Sequence, residues 1–144
     1  MLNELQLKLC DIQGRLFELS GERKLPSELF IKTFMRSFVA KGLDSAFNRL
    51  QWAGEEYLLA ETEDLAKDAF EKPGEVFDKE RLYWMGYLYR YWHYYTGENS
   101  AKIYRQAPAK TMKRNYPMFH TFAPELAIKD LKEISAQKSK GMPD

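Results

Sequence analysis

Hydrophobic residues recur along this chain at the spacing of helix faces. Before Ser20 the apolar positions alternate by three and four residues, which predicts one amphipathic helix. Its apolar face consists of Leu2, Leu5, Leu9, Ile12, Leu16 and Leu19. Further on, Phe30, Phe34 and Phe38 follow one another every four residues. We therefore expect all three in the hydrophobic core, on a second helix that ends at Lys41-Gly42.

The helical spacing continues in the middle of the chain. Apolar residues from Leu43 through Phe47 to Leu65 predict a third helical segment with a break or kink at Gly54. The sequence Lys72-Pro73-Gly74 ends it, because proline cannot continue a helix and glycine favours a turn. Glutamate and aspartate fill the intervening positions, so one face of this segment is acidic.

An unusually aromatic stretch, 81–104, follows and is the most distinctive part of the sequence. Between Tyr83 and Tyr95, eight of thirteen residues are Tyr or Trp, and the only formal charge is Arg90. Asp78 is a suitable N-cap for a helix here, and Thr96-Gly97 a suitable end. Since every face of this helix is bulky, we expect it at the centre of the fold.

One row of the aromatic helix is also a candidate binding face. The row contains Tyr83, Tyr87, Arg90 and Tyr94. Tyr, Trp and Arg are enriched among the residues that carry the binding energy of protein interfaces. Two interpretations remain: a helix buried on all sides, as in a structural scaffold, or a helix with this row presented to a partner.

The last part of the chain contains capping residues and prolines that predict short helices at 100–106, 108–116 and 124–135. Pro117 is predicted to end the second of them. The sequence shows neither a strand pattern nor an internal repeat. The predicted fold is therefore all-α, a compact bundle of five to seven helices around a central aromatic helix. We expect residues 1–135 to form one domain and residues 136–144 to form a polar, flexible tail.

Composition and charge narrow the classes of function. The hydrophobic content of 44% is sufficient for a core, and the net charge of +1 argues against a protein that binds polyanions over its whole surface. The single cysteine, Cys10, excludes an internal disulfide. With no apolar run long enough for a membrane span and no signal-peptide pattern at the N-terminus, we expect a cytoplasmic protein that does not enter membranes.

The charges are strongly segregated along the chain. Residues 55–80 contain three basic and ten acidic side chains, whereas 81–123 contain seven basic and one acidic. Lys102 and Arg105 in the basic segment are predicted to complement the charge of a partner. Basic residues next to aromatic ones also suit nucleic-acid binding, and pairing with the chain's own acidic segment is the alternative.

Catalytic and metal-binding patterns are sparse. Arg114-Asn115, four further residues and His120 resemble the R-x4-6-H signature of HEPN ribonucleases, which are all-α domains of about this size. That resemblance implies a toxin in which Arg114 stabilises the phosphate and His120 acts in acid–base cleavage of RNA. Pro117 departs from the pattern, because the family has a continuous helix there. Two histidines and one cysteine predict no metal site, and we expect no cofactor.

Three blocks resemble a family of small bacterial proteins found in toxin–antitoxin-like operons, some beside ADP-ribosyltransferase-like genes. The blocks are QWAGEEYLLAE at 51–61, YWMGYLYRYWHYYTGENSAKIY at 83–104 and APAKTMKRNYPMFHTFAPELAIKDL at 107–131. The resemblance implies a cytosolic partner protein, an antitoxin that occludes a toxin encoded nearby, and it carries over no catalytic residue. The sequence thus favours a non-enzymatic protein-binding module, with Tyr83, Tyr87, Arg90, Tyr94, Lys102 and Arg105 as partner-binding residues.

Overall fold

A computed structural model describes residues 1–46 and 48–141, and in these residues it contains nine α-helices, one 3-10 turn and no strand. The helices are α1 (Glu4–Glu22), α2 (Ser27–Met35), α3 (Phe38–Asp44), α4 (Glu55–Asp64), α5 (Lys67–Phe70), α6 (Lys79–Thr96), α7 (Ser100–Gln106), α8 (Ala109–Phe119) and α9 (Pro124–Ser139), with the 3-10 turn at Arg49–Trp52. The predicted all-α fold is confirmed. The helices outnumber the predicted five to seven because two long segments are each divided.

The aromatic helix α6 is the centre of the bundle, as predicted, with α1, α7, α8 and α9 packed around it. Asp78 is its N-cap, with a side chain that accepts a hydrogen bond from the Arg81 amide. Gly97 ends it in the left-handed conformation, at a φ of 81°. Both ends of α6 were thus correctly located from the sequence, because capping depends on local chemistry.

Helices α1 and α6 approach each other so closely at Gly14 and Gly86 that their backbones touch. A Cβ atom placed on Gly86 would lie 2.4 Å from the carbonyl oxygen of Gln13 and 2.9 Å from the Cα of Gly14. The Gln13 side chain donates a hydrogen bond of 3.0 Å to the carbonyl of Gly86 across this contact. The glycines therefore fix how deeply α1 sits against the central helix.

The second predicted helix is in fact two helices, and the prediction that Phe38 is a core residue is wrong. The Ser37 hydroxyl accepts hydrogen bonds from the amides of Val39 and Ala40, which starts α3 in a new direction. The break changes the helical phase, so that Phe38 is 54% exposed, whereas Phe30 and Phe34 are fully buried.

Helix α8 continues through Pro117 to Phe119, contrary to the prediction that this proline ends the helix. A proline removes one helical hydrogen bond, and here the loss falls within the last turn, where little further helix depends on it. Helix α9 also extends beyond its predicted end at residue 135, to Ser139, so that the first part of the predicted tail is helical. Phe47 and residues 142–144 lie outside the described residues.

A cluster of polar side chains around Glu98 ties α6, α7 and α9 together. The Glu98 carboxylate accepts hydrogen bonds from the Trp92 indole at 2.9 Å, the Gln106 amide at 2.8 Å and the Lys132 ammonium at 2.6 Å. Burial raises the pKa of this carboxyl, but the hydrogen bonds outweigh burial and lower the pKa to about 2.

The low pKa of Glu98 predicts a specific acid sensitivity. The stabilisation by this carboxylate is complete above its unfolded pKa near 4.5, and it is lost as the pH falls from there towards about 2. We expect Glu98→Gln to be less stable than the wild type at pH 7 and to show a shallower loss of stability across that window. Urea unfolding measured from pH 7 down to pH 2.5 tests this, and equal slopes for both proteins would contradict it.

No helix in the described part of the chain has the length and apolar character needed to cross a membrane. Within the same residues, no group of three histidine, cysteine, aspartate or glutamate side chains is arranged to bind a metal ion. Cys10 is buried beside α6, and burial raises the pKa of its thiol to about 12, which leaves it a protonated packing residue.

Candidate protein-binding groove

A large concave surface lies between α1, the first half of α6 and the end of α8 with the turn that follows it. The groove has a volume of about 840 Å³. From Lys79 to Leu88 it follows α6 for ten residues, which span about 14 Å at the helical rise of 1.5 Å per residue. Its length and open side suit an extended or helical segment of another molecule better than an enclosed small ligand.

Six of the thirteen residues that line the groove carry aromatic rings, and several of these rings contact each other in pairs. The lining rings are Tyr83, Trp84, Tyr87, Tyr116, His120 and Phe122. Their centroids are 6.0 Å apart for Tyr83 and Tyr87, and 5.6 Å apart, in an edge-to-face arrangement, for Trp84 and Tyr116. Tyr83 with Tyr87, and Trp84 with Tyr116, are thus two packed pairs of rings that support each other in the absence of a ligand.

The opposite side of the groove, formed by α1, is charged. Asp11 accepts a hydrogen bond of 2.5 Å from the Tyr83 hydroxyl and pairs with Arg15 at 3.0 Å. Burial and the hydrogen bond to Asp11 raise the pKa of the Tyr83 hydroxyl well above its usual value. Glu18, one helical turn beyond Arg15, pairs with Lys79 of α6 at 4.0 Å. Tyr83 is thereby held with its hydroxyl protonated and its position fixed from α1.

Tyr83 and Tyr87 are the two predicted partner-binding residues that line the groove. Each is half-buried, with one part of the side chain packed on α1 and the rest accessible. The sequence-based placement of these two residues on one accessible row is consistent with this position. Their role in binding a partner stays a prediction.

The prediction that Arg90, from the same row, is presented to a partner has to be corrected. Arg90 is only 1% exposed, and its guanidinium is held by three side chains inside the fold. The Nε atom donates to Gln13 at 2.8 Å, Nη1 to Asp44 at 2.6 Å and Nη2 to Ser100 at 3.2 Å. A buried charge of this kind needs such partners, so Arg90 connects four elements of the bundle rather than being presented to a partner.

Tyr94 lies apart from the groove. It lines a smaller cavity of about 270 Å³ near the start of α1, together with His93 and Asp44. Its hydroxyl is buried and has no hydrogen-bond partner among the described residues. The predicted row is therefore divided by Arg90, with its first two tyrosines on one side of the bundle and Tyr94 at another cavity.

Lys102 and Arg105 are exposed on α7, outside the groove. Lys102 pairs at 3.7 Å with Glu98, which lies four residues before it in the chain. One ion pair joins the basic segment to the acidic segment at the protein surface, between Lys113 and Glu75, which agrees with the alternative of pairing within the chain. Contacts of Lys102 and Arg105 with a partner stay a prediction.

The two residues of the RNase-like pattern are not brought together at one site. His120 lines the groove and stacks on Tyr116, with ring centroids 4.4 Å apart and Nδ1 2.7 Å from the Tyr116 carbonyl oxygen. Arg114 is exposed on α8 and does not line the groove. Six residues of helix rotate the two side chains about 120° apart, so they do not face one substrate from the same side.

Several groove residues were not predicted from the sequence, and one set had a recognisable signal. Asp11, Arg15 and Glu18 are spaced by four and three residues on α1, which places them on one face beside the leucine face. Trp84 and Tyr116 had no comparable signal, because they meet only when α8 folds back onto α6.

Comparisons with protein-family models, with curated proteins and with solved structures found no match to this chain. The groove and its contacts therefore carry the functional argument.

Proposed function

We propose that this chain is a non-enzymatic protein-binding module and that the aromatic groove holds a segment of its partner. The observation that carries the proposal is the preformed wall of Tyr83, Trp84, Tyr87 and Tyr116 along an open groove of about 840 Å³. Interfaces derive most of their binding energy from such fixed aromatic side chains.

The partner that we propose is a toxin, with this chain as the antitoxin. The proposal is supported by the resemblance of the blocks at 51–61, 83–104 and 107–131 to proteins of toxin–antitoxin-like operons. An antitoxin that acts by occlusion needs a rigid, complementary surface and no catalytic groups. The groove supplies a surface of this kind, and Arg114 and His120 do not share a face.

Coexpression with each adjacent reading frame tests this function. We expect one neighbouring product to be toxic alone, to be neutralised by this chain and to copurify with it. Tyr87→Ala should weaken the complex by at least tenfold, which is a loss typical of an interface hot spot. Tyr95→Ala is the matched control, since Tyr95 is 53% exposed on the same helix and outside the groove.

Two results would contradict the proposal. One is a complex that Tyr87→Ala and Tyr95→Ala weaken equally, because the groove would then have no special part in binding. The other is toxicity of this chain expressed alone that is lost in His120→Ala, which would favour the RNA-cleaving alternative.

A further inference from the structure

We infer that the groove recognises a cationic side chain, arginine or lysine, carried by the partner segment. This inference rests on the proposed function, since it names the chemistry of the segment that the groove holds. Aromatic faces and carboxylates line the same groove, and this combination binds an ammonium or guanidinium group through both the ring quadrupole and the opposite charge.

The aromatic wall already holds a guanidinium from its own chain. The Cζ atom of Arg81 lies 4.9 Å from the centroid of the Tyr116 ring, at the edge of the wall. Asp78 pairs with the same guanidinium, so that the ring and the carboxylate act on it together. This contact is a local example of the arrangement that we infer for the ligand.

Glu18 supplies the anionic group for the ligand. Its side chain is only 21% exposed, and its only ion pair in the described residues is with Lys79 at 4.0 Å. The Lys79 side chain is 70% exposed, so this pair neutralises the carboxylate weakly. Burial raises the pKa of Glu18, and the charge of Lys79 offsets this effect only in part.

Covering the groove makes a cationic ligand more favourable than an apolar or anionic one. Any segment that lies over Glu18 removes water from a carboxylate that is already largely buried, which is costly unless the segment brings a positive charge. Glu80 adds a second acidic group without an ion pair in the described residues. The two basic groups of the lining, Arg15 and Lys79, are each paired with a groove carboxylate, Asp11 and Glu18, so that with Glu80 the lining carries a net negative charge.

Glu18→Gln and Lys79→Met change the charge of the groove in opposite directions. Together they distinguish a cationic ligand from an apolar or an anionic one. The probes are N-acetylarginine amide, its neutral isostere N-acetylcitrulline amide, and N-acetylglutamate amide. Binding to the full chain is measured by NMR titration of the backbone amides of Tyr83 and Tyr87. Glu56→Gln, on the exposed face of α4, is the control for a general loss of negative charge.

We expect the arginine probe to bind several-fold more tightly than the citrulline probe. Glu18→Gln should weaken arginine binding about fivefold, Lys79→Met should strengthen it, and Glu56→Gln should leave it unchanged. Equal binding of arginine and citrulline, a preference for the glutamate probe, no effect of Glu18→Gln, or no shift of groove resonances with any probe would each overturn the cationic ligand.

The failure of this inference is distinguishable from the failure of the proposed function. The partner complex is measured separately with Tyr87→Ala and Tyr95→Ala. If Tyr87→Ala breaks that complex while Glu18→Gln leaves it intact, the groove binds the partner without a cationic anchor. If both Tyr87→Ala and Glu18→Gln weaken it and Lys79→Met strengthens it, the cationic anchor belongs to the partner itself.

Discussion

Arg90→Met is expected to lower the free energy of unfolding by about 3–5 kcal/mol, the largest effect of any substitution considered. Methionine fills much of the space but leaves Asp44 without its guanidinium partner and the Gln13 side chain without its donor. The Ser100 hydroxyl also loses a contact. Asp44 keeps its hydrogen bonds from the Ser100 amide and hydroxyl but loses its counter-charge, and a largely buried carboxylate without a counter-charge is costly. Urea unfolding at pH 7, monitored by circular dichroism, measures the loss.

A second substitution isolates the ion pair. Asp44→Asn removes the charge that Arg90→Met leaves unpaired, so we expect the double variant to lose less stability than the sum of the two single variants. Arg105→Met is the control, because Arg105 is exposed and its loss should change stability by no more than about 0.5 kcal/mol. Additive effects of Arg90→Met and Asp44→Asn would contradict a coupled pair.

Gly86→Ala is expected to destabilise the protein by about 2–3 kcal/mol, although alanine is the better helix former by about 1 kcal/mol. The new methyl group would meet the backbone of α1 at 2.4 Å from the Gln13 carbonyl oxygen, and backbone atoms cannot rotate away. The two helices would have to separate, which would open the buried contact around Gln13. Thermal unfolding gives the sign directly.

Gly14→Ala, on the α1 side of the same helix contact, is the comparison with a milder steric clash. Its methyl group would meet the ring of Tyr83 at 2.7 Å and the Tyr83 backbone oxygen at 3.1 Å. The ring can move in part, so we expect a smaller loss of stability and a visible shift of Tyr83 resonances in the groove. An increase in stability for Gly86→Ala would contradict the close backbone contact.

The sequence predicted the features that depend on local chemistry. The all-α class, the central position of the aromatic helix and its ends at Asp78 and Gly97 all follow from helical spacing and from capping residues. Helical geometry also placed Tyr83 and Tyr87 on one row of α6, and both line the groove, while their role in binding stays a prediction.

The features that depend on packing between distant elements were not predicted. Arg90 was placed on a candidate binding face because Tyr and Arg are enriched at interfaces, yet two of its three partners, Gln13 and Asp44, are far away in the sequence. Gly14 permits the close contact of α1 with α6, and nothing in the local sequence of α1 indicates that contact. The four-residue spacing placed Phe38 on the same helix face as Phe30 and Phe34. In the structure a new helix starts after Ser37, and Phe38 is exposed.

Site-specific photo-cross-linking from the groove tests the central claim most directly. A benzophenone amino acid at position 87, with the same group at position 95 as the control, would be introduced into the chain coexpressed with its adjacent reading frames. We expect a cross-link from position 87 to one segment of the neighbouring product, and no cross-link from position 95. Cross-links from position 95 alone, or from neither position in a complex that copurifies, would contradict the groove as the binding surface.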